Sequence, residues 1–113
     1  MPLCLMYTNL KDSEVPGGLE VTLAETIAKT LGKPMQKMTV TVQTGLRMYR
    51  LESRAPTCFL QIHSIDVFDK DRNPAYTKPI IDFLKNALNI EGNRIVIQYL
   101  PIHLHDVGLE KPY

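Results

Sequence analysis

At 113 residues the chain is long enough for one domain with a core and too short for two; 44% hydrophobic and 22% charged residues mark an ordinary globular protein. A formal net charge of +1, with the signs interspersed and no Lys/Arg run, offers no electrostatic footprint for nucleic acid or for an anionic membrane. The apolar stretch near the start is too short for a membrane span or a signal h-region, so the expectation is a cytoplasmic chain, or one secreted without a conventional signal peptide, with no membrane insertion.

Residues 3–8 read as an apolar strand, and Pro2 opens it from the position directly before, where proline is tolerated. A prolyl nitrogen inside a chain is a tertiary amide without basicity. Removal of Met1 would turn Pro2 into a secondary amine whose lone pair can take a proton once its pKa is brought near neutrality. A turn-like Val15-Pro16-Gly17-Gly18 then leads into a helix with Leu19, Leu23, Ala24, Ile27, Ala28 and Leu31 on one face. Gly32 ends that helix, Lys33 and Pro34 follow, and Met38, Val40 and Val42 alternate as a half-buried strand.

The same order recurs. Cys58, Leu60 and Ile62 alternate with Phe59, Gln61 and His63; Asn73-Pro74 is expected to supply an N-cap with proline at the first helical position. The second helix carries Ile80, Ile81, Leu84, Ala87 and Leu88, and a strand spans 94–100. Laying residues 31–40 over 88–97 matches leucine with leucine and sets Lys37 on Arg94, an offset of 57 residues. The expected fold is therefore α+β, a duplicated β-α-β unit in one domain over residues 1–113, with two helices on one face of a four-stranded sheet. The other face would stay partly apolar and the sheet edges unpaired, which calls for an oligomer.

Cys4 and Cys58 each fall in an alternating apolar strand and no CxxC occurs, so both are expected to be buried thiols. Met6, Met35, Met38 and Met48 are read as core filler. His103 and His105 would share one face of an extended segment, but no third ligand stands at suitable spacing, so they are read as a solvated tail, with His63 lining the sheet.

Pro2, Thr8-Asn9-Leu10, Val15-Pro16, Gly18-Leu19-Glu20, Leu31-Gly32-Lys33-Pro34, Val40-Thr41-Val42, Gly45-Leu46, Met48, Ser64-Ile65, Arg94-Ile95, Pro101 and Val107-Gly108 together carry a resemblance. In these residues the chain resembles the macrophage migration inhibitory factor family of the tautomerase superfamily, and within it the D-dopachrome tautomerase branch. The resemblance implies a homotrimer with a pocket at each subunit interface, and an isomerase needing no cofactor and no metal. Its substrates would be small aromatic keto acids such as phenylpyruvate, or dopachrome-like compounds. Carried onto this chain, Pro2 is the base, Lys33 the cation for the substrate's oxygen or carboxylate, and Ile65 a backbone N–H donor with Ser64 beside it. The neighbouring subunit would supply Val96 and Gln98, and the tail around Val107 and Leu109 would close the rim. Lys37 is the alternative cation.

That assignment makes chemical sense, because burial and the charge of Lys33 both disfavour a protonated Pro2, and a fixed ammonium stabilises an enolate as it forms. Some positions depart from the pattern. Val96 and Gln98 stand where the inhibitory factor itself has tyrosine and asparagine. Asp66 replaces a glycine, and with Asp69 and Asp71 it forms an acidic loop, read on its own as solvated. Beside the mouth those carboxylates would raise the pKa of Pro2 and repel a keto acid. Two function classes follow: a keto-enol tautomerase, and a cytokine-like ligand of a cell-surface receptor with a weak or vestigial pocket.

Overall fold

Alternation with period two builds the central strand β1 (Leu3–Thr8) in the computed structural model, which describes residues 1–111. Cys4, Met6 and Thr8 turn to one face and are fully buried, while Leu3, Leu5 and Tyr7 turn to the other and are only half-buried. The chain continues through α1 (Leu19–Leu31), β2 (Thr39–Gln43), β3 (Cys58–Ser64), α2 (Asn73–Leu88) and β4 (Ile95–Pro101). Sheet order is β2-β1-β3-β4, parallel within each β-α-β unit and antiparallel between β1 and β3 at the centre.

The duplication is visible in detail. Gly32 and Asn89, 57 residues apart, both end their helices in the left-handed conformation, with φ of 67° and 54°. A 3₁₀ turn follows each cap, Met35–Lys37 and Gly92–Arg94, before the outer strand starts. Both helices cover one sheet face. Leu19, Leu23, Ile27 and Leu31 of α1 and Ile80, Leu84 and Leu88 of α2 join Met6, Leu60 and Ile62 in one core. Cys4 and Cys58 belong to it, and burial pushes both thiols up to about 12.

Two local expectations are corrected. Asn73 is the first residue of α2 rather than its cap; the residue before it is Arg72, in helical conformation with no side-chain capping bond. The loop is instead organised by Asp69, whose carboxylate accepts the N–H groups of Asp71 at 3.0 Å and Arg72 at 2.7 Å, while Asn73 Oδ1 accepts the Asp69 N–H at 3.1 Å. Pro79 sits inside α2, where the ring removes one helical donor; packing of Ile80 and Leu84 against the sheet holds the helix regardless. Met35 is 45% exposed and is no part of the core, whereas Met6 is fully buried.

Arg94, matched to Lys37 by the repeat, anchors the long β2–β3 connection. Its guanidinium donates to the carbonyls of Arg50 at 2.6 Å, Ala55 at 2.7 Å and Pro56 at 3.0 Å, and Thr57 Oγ1 donates back to the Arg94 carbonyl at 2.7 Å. Among the described residues no helix is long and apolar enough to cross a membrane. Leu60→Ala, at a side chain with no exposure, is expected to destabilise by about 2–5 kcal/mol in urea unfolding. Val21→Ala, at 54% exposure, should change stability by less than about 0.5 kcal/mol.

Candidate active site at the Pro2 end of the sheet

Where β1 begins, β3 and β4 finish, and the end of α1 reaches over them. Leu3 pairs with His63 and Ser64 with Pro101, so continuing the β1–β3 register by one residue sets Pro2 opposite Ser64. Pro2 is less than 2% exposed. Its carbonyl accepts the Thr39 N–H at 3.1 Å, on the β2 side, while the Ser64 carbonyl accepts the Ile102 N–H at 3.0 Å, on the β4 side. The left-handed cap at Gly32 turns the chain so that Lys33 Nζ donates to the Ile65 carbonyl at 3.5 Å. Pro2, Lys33, Ser64 and Ile65 thus meet at one end of the sheet. Lys33 engages the carbonyl of Ile65, whereas the resemblance assigns the N–H of that residue to the substrate.

The electrostatics suit a base. Burial first, and then the charges of Lys33 and Lys37, hold the chain's amino terminus, here on Met1, below its usual 8.0. Lys37 therefore acts on the same point as Lys33, from the 3₁₀ turn before β2. Asp66 adopts a left-handed φ of 58°, which is the physical reason a glycine suits that position, and its carbonyl accepts Arg72 Nη1 at 3.0 Å. Asp66, Asp69 and Asp71 are all exposed, as a solvated loop requires, and Asp69 is held below the ordinary carboxylate range, first by the Arg72 N–H and then by the Arg72 side chain at 2.7 Å.

Other expected residues lie apart within one chain. Val96 pairs with Phe59 at the opposite end of β3, about 17 Å along the strand from Pro101 at ~3.3 Å per residue. Gln98 faces the open side in mid-sheet, where its Oε1 accepts Gln61 Nε2 at 2.9 Å, and Tyr7 Oη donates to Gln61 Oε1 at 3.4 Å. One chain does not bring either to Pro2. The tail leaves from this end at Ile102; Val107 is half-buried behind the turn Leu104–Asp106, and Leu109 is exposed. His103 and His105 are exposed with stacked rings, centroids 5.2 Å apart, and His63 is half-buried on the open sheet face. A groove of about 440 Å³ lined by Tyr7, Leu46, Arg47, Met48, Phe59 and Gln61 was not anticipated, and it places Met48, expected as core filler, on its wall.

Two β-α-β units share one mixed sheet, with a buried proline directly before the first strand. The solved structure of the macrophage migration inhibitory factor from Trichinella spiralis superposes with a TM-score of 0.90 at 25% identity, covering 96% of each chain. The family description "Macrophage migration inhibitory factor (MIF)" matches residues 1–111. D-dopachrome decarboxylase of Gallus gallus is 34% identical over 109 residues, 96% of this chain and 92% of that protein. Macrophage migration inhibitory factor of Meriones unguiculatus is 32% identical over 108 residues, 96% of this chain and 94% of that protein. The chain belongs to the macrophage migration inhibitory factor family.

Since the charge of Lys33 helps depress the terminal amine, Lys33→Ala should raise that amine's pKa. Amine acylation followed against pH would then show the titration moved to higher pH, with the fold unchanged by circular dichroism.

Proposed function

We propose that this protein, after loss of Met1, is a cofactor-independent keto-enol tautomerase of phenylpyruvate-like or dopachrome-like substrates, with Pro2 as base. The observation that carries the reading is the chain start, where Pro2 is buried and the amine on half-buried Met1 is held below its usual range by burial, Lys33 and Lys37. The same causes would act on a Pro2 amine and shift it toward its neutral form, the one able to accept a proton. In phenylpyruvate the amine takes a proton from the carbon beside the carbonyl. The C–H electron pair becomes the enol double bond, the carbonyl oxygen takes the charge, and the proton is returned to that oxygen. Lys33 and the Ile65 N–H would stabilise the developing oxyanion, a task worth more in the transition state than in the ground state. The hydroxyl of Ser64 lies beside them.

The open sheet face and the two outer edges support a homotrimer, in which a neighbouring copy supplies Val96 and Gln98 and the rim is closed by Val107 and Leu109. The name of the Gallus gallus relative points to a second outcome for a dopachrome, loss of carboxylate rather than of a proton. Either bond would deliver its electron pair to the electron-poor ring, and product mass tells them apart. The name of the Meriones unguiculatus relative, with Asp66 and Gln98 at a modified pocket, favours the other class, a cytokine-like ligand of a cell-surface receptor, secreted without a conventional signal.

Protein starting at Pro2 should tautomerise phenylpyruvate, with a rate that rises as pH climbs through the lowered amine pKa and levels above it, because only the neutral amine is a base. A form that keeps Met1 should be inactive, and full activity of that form would overturn the mechanism in favour of the receptor-ligand class. Lys33→Ala should lower kcat/KM about ten- to a hundred-fold, the loss of a hydrogen bond to a charged group. Light scattering should give a mass three times that of one chain; a stable monomer would remove the shared pocket.

A further inference from the structure

Two cations converge on the start of the chain without an anion between them. Lys33, just past the left-handed cap at Gly32, and Lys37, the last residue of the turn Met35–Lys37, are both half-buried. The bond from the Thr39 N–H to the Pro2 carbonyl at 3.1 Å ties the start of β2 to the start of β1, so Lys37, two residues earlier, is held at that end of the sheet. Its charge is felt at the terminal amine together with that of Lys33. Among the described residues neither lysine meets a carboxylate, since Asp69 pairs with Arg72, Asp82 with Lys78 and Asp106 with His105. Lys33 Nζ reaches the Ile65 carbonyl at 3.5 Å, the long limit of such a bond, and Lys37 makes no side-chain hydrogen bond among the described residues. Like charges drawn together away from bulk water repel, and neither side chain belongs to the core that would otherwise explain its place.

Tautomerisation of a keto acid supplies the missing negative charge twice. The carboxylate is ionised from the outset, and the carbonyl oxygen on the next carbon gains charge only as the proton leaves. Lys33 touches Ile65, the residue whose N–H is assigned to that oxygen, and so stands on the oxyanion side. Lys37 comes from the β2 side and is left for the carboxylate.

We propose that the two lysines divide these tasks: Lys37 holds the carboxylate of the substrate, and Lys33 is free for the oxyanion. Lys37 is then the residue by which the site selects α-keto acids over neutral ketones of the same shape. This rests on the reading of the protein as a tautomerase with Pro2 as base. The carboxylate carries its charge in the ground state and the transition state alike, so Lys37 acts on binding, whereas Lys33 acts on the barrier.

The test compares phenylpyruvate with its methyl ester, which keeps the reacting carbon and lacks the anion. Protein starting at Pro2 is used, at a pH above the titration of its amine, so that changes in the base do not enter. Lys37→Gln should lower the preference for acid over ester, taken as the ratio of kcat/KM values, about ten- to a hundred-fold, through a raised KM for the acid. Lys37→Arg keeps the charge and should keep most of the preference. Lys33→Ala should lower kcat on both substrates and leave their ratio nearly intact. An unchanged ratio in Lys37→Gln overturns the proposal, and so does loss of the ratio in Lys33→Ala, which would return the carboxylate to Lys33. Absence of turnover in wild-type protein starting at Pro2 would instead sink the tautomerase reading. Calorimetric binding of phenylpyruvate and its ester then still decides the role of Lys37, because a carboxylate site binds the acid more tightly and loses that advantage in Lys37→Gln.

Discussion

The antiparallel pairing of β1 with β3 is the constraint on which the rest depends. It joins two parallel β-α-β units at their first strands, so the start of the chain lies against the end of β3. A slip of one residue in that register would turn either Cys4 and Met6 or Leu60 and Ile62 out of the core, and burial of all four side chains therefore specifies the pairing. The same register decides that Pro2 faces Ser64. Core packing and site geometry are one requirement here.

Electrostatics at that end follow from helix termination. Gly32 can take φ of 67° without the steric penalty a Cβ would bring, and the turn it makes delivers Lys33 to the Ile65 carbonyl and to the neighbourhood of the amino terminus. Lys37 arrives from the 3₁₀ turn that starts β2. Two cations beside a half-buried amine disfavour its protonation, and an anion arriving there would offset the like-charge repulsion.

The helices cover only one side of the sheet. On the other, Leu3, Leu5, Tyr7, Phe59, Val96 and Leu100 are half-buried around a polar chain formed by Tyr7, Gln61 and Gln98. Among the described residues β2 and β4 each pair on one side only, leaving backbone groups at both edges free to meet another strand. Val96 stands at the far end of that face from Pro2, so any contact between them requires a second copy.

Much of this was legible in the residues themselves. Spacing of three and four in 19–31 and period two in 3–8 and 58–64 state which faces are buried, because burial of a helix or strand face demands that spacing. The repeat that sets Lys37 on Arg94 announced two like units, and Pro2, Lys33 and Ser64-Ile65 are recognisable as a group. Backbone conformation and long-range partners were not legible. The φ of Asp66, the Asp69 loop that replaces an Asn73 cap, the carbonyl used by Lys33 and the clamp formed by Arg94 depend on groups brought together only when the chain folds. Which strands become neighbours likewise needs the whole core, since helical or strand spacing specifies a buried face but not what buries it. Sequence determined the elements, their buried sides and the chemistry available; tertiary structure alone decided which of those groups meet, because contact between residues 2 and 64 is a property of sheet register and of nothing local to either.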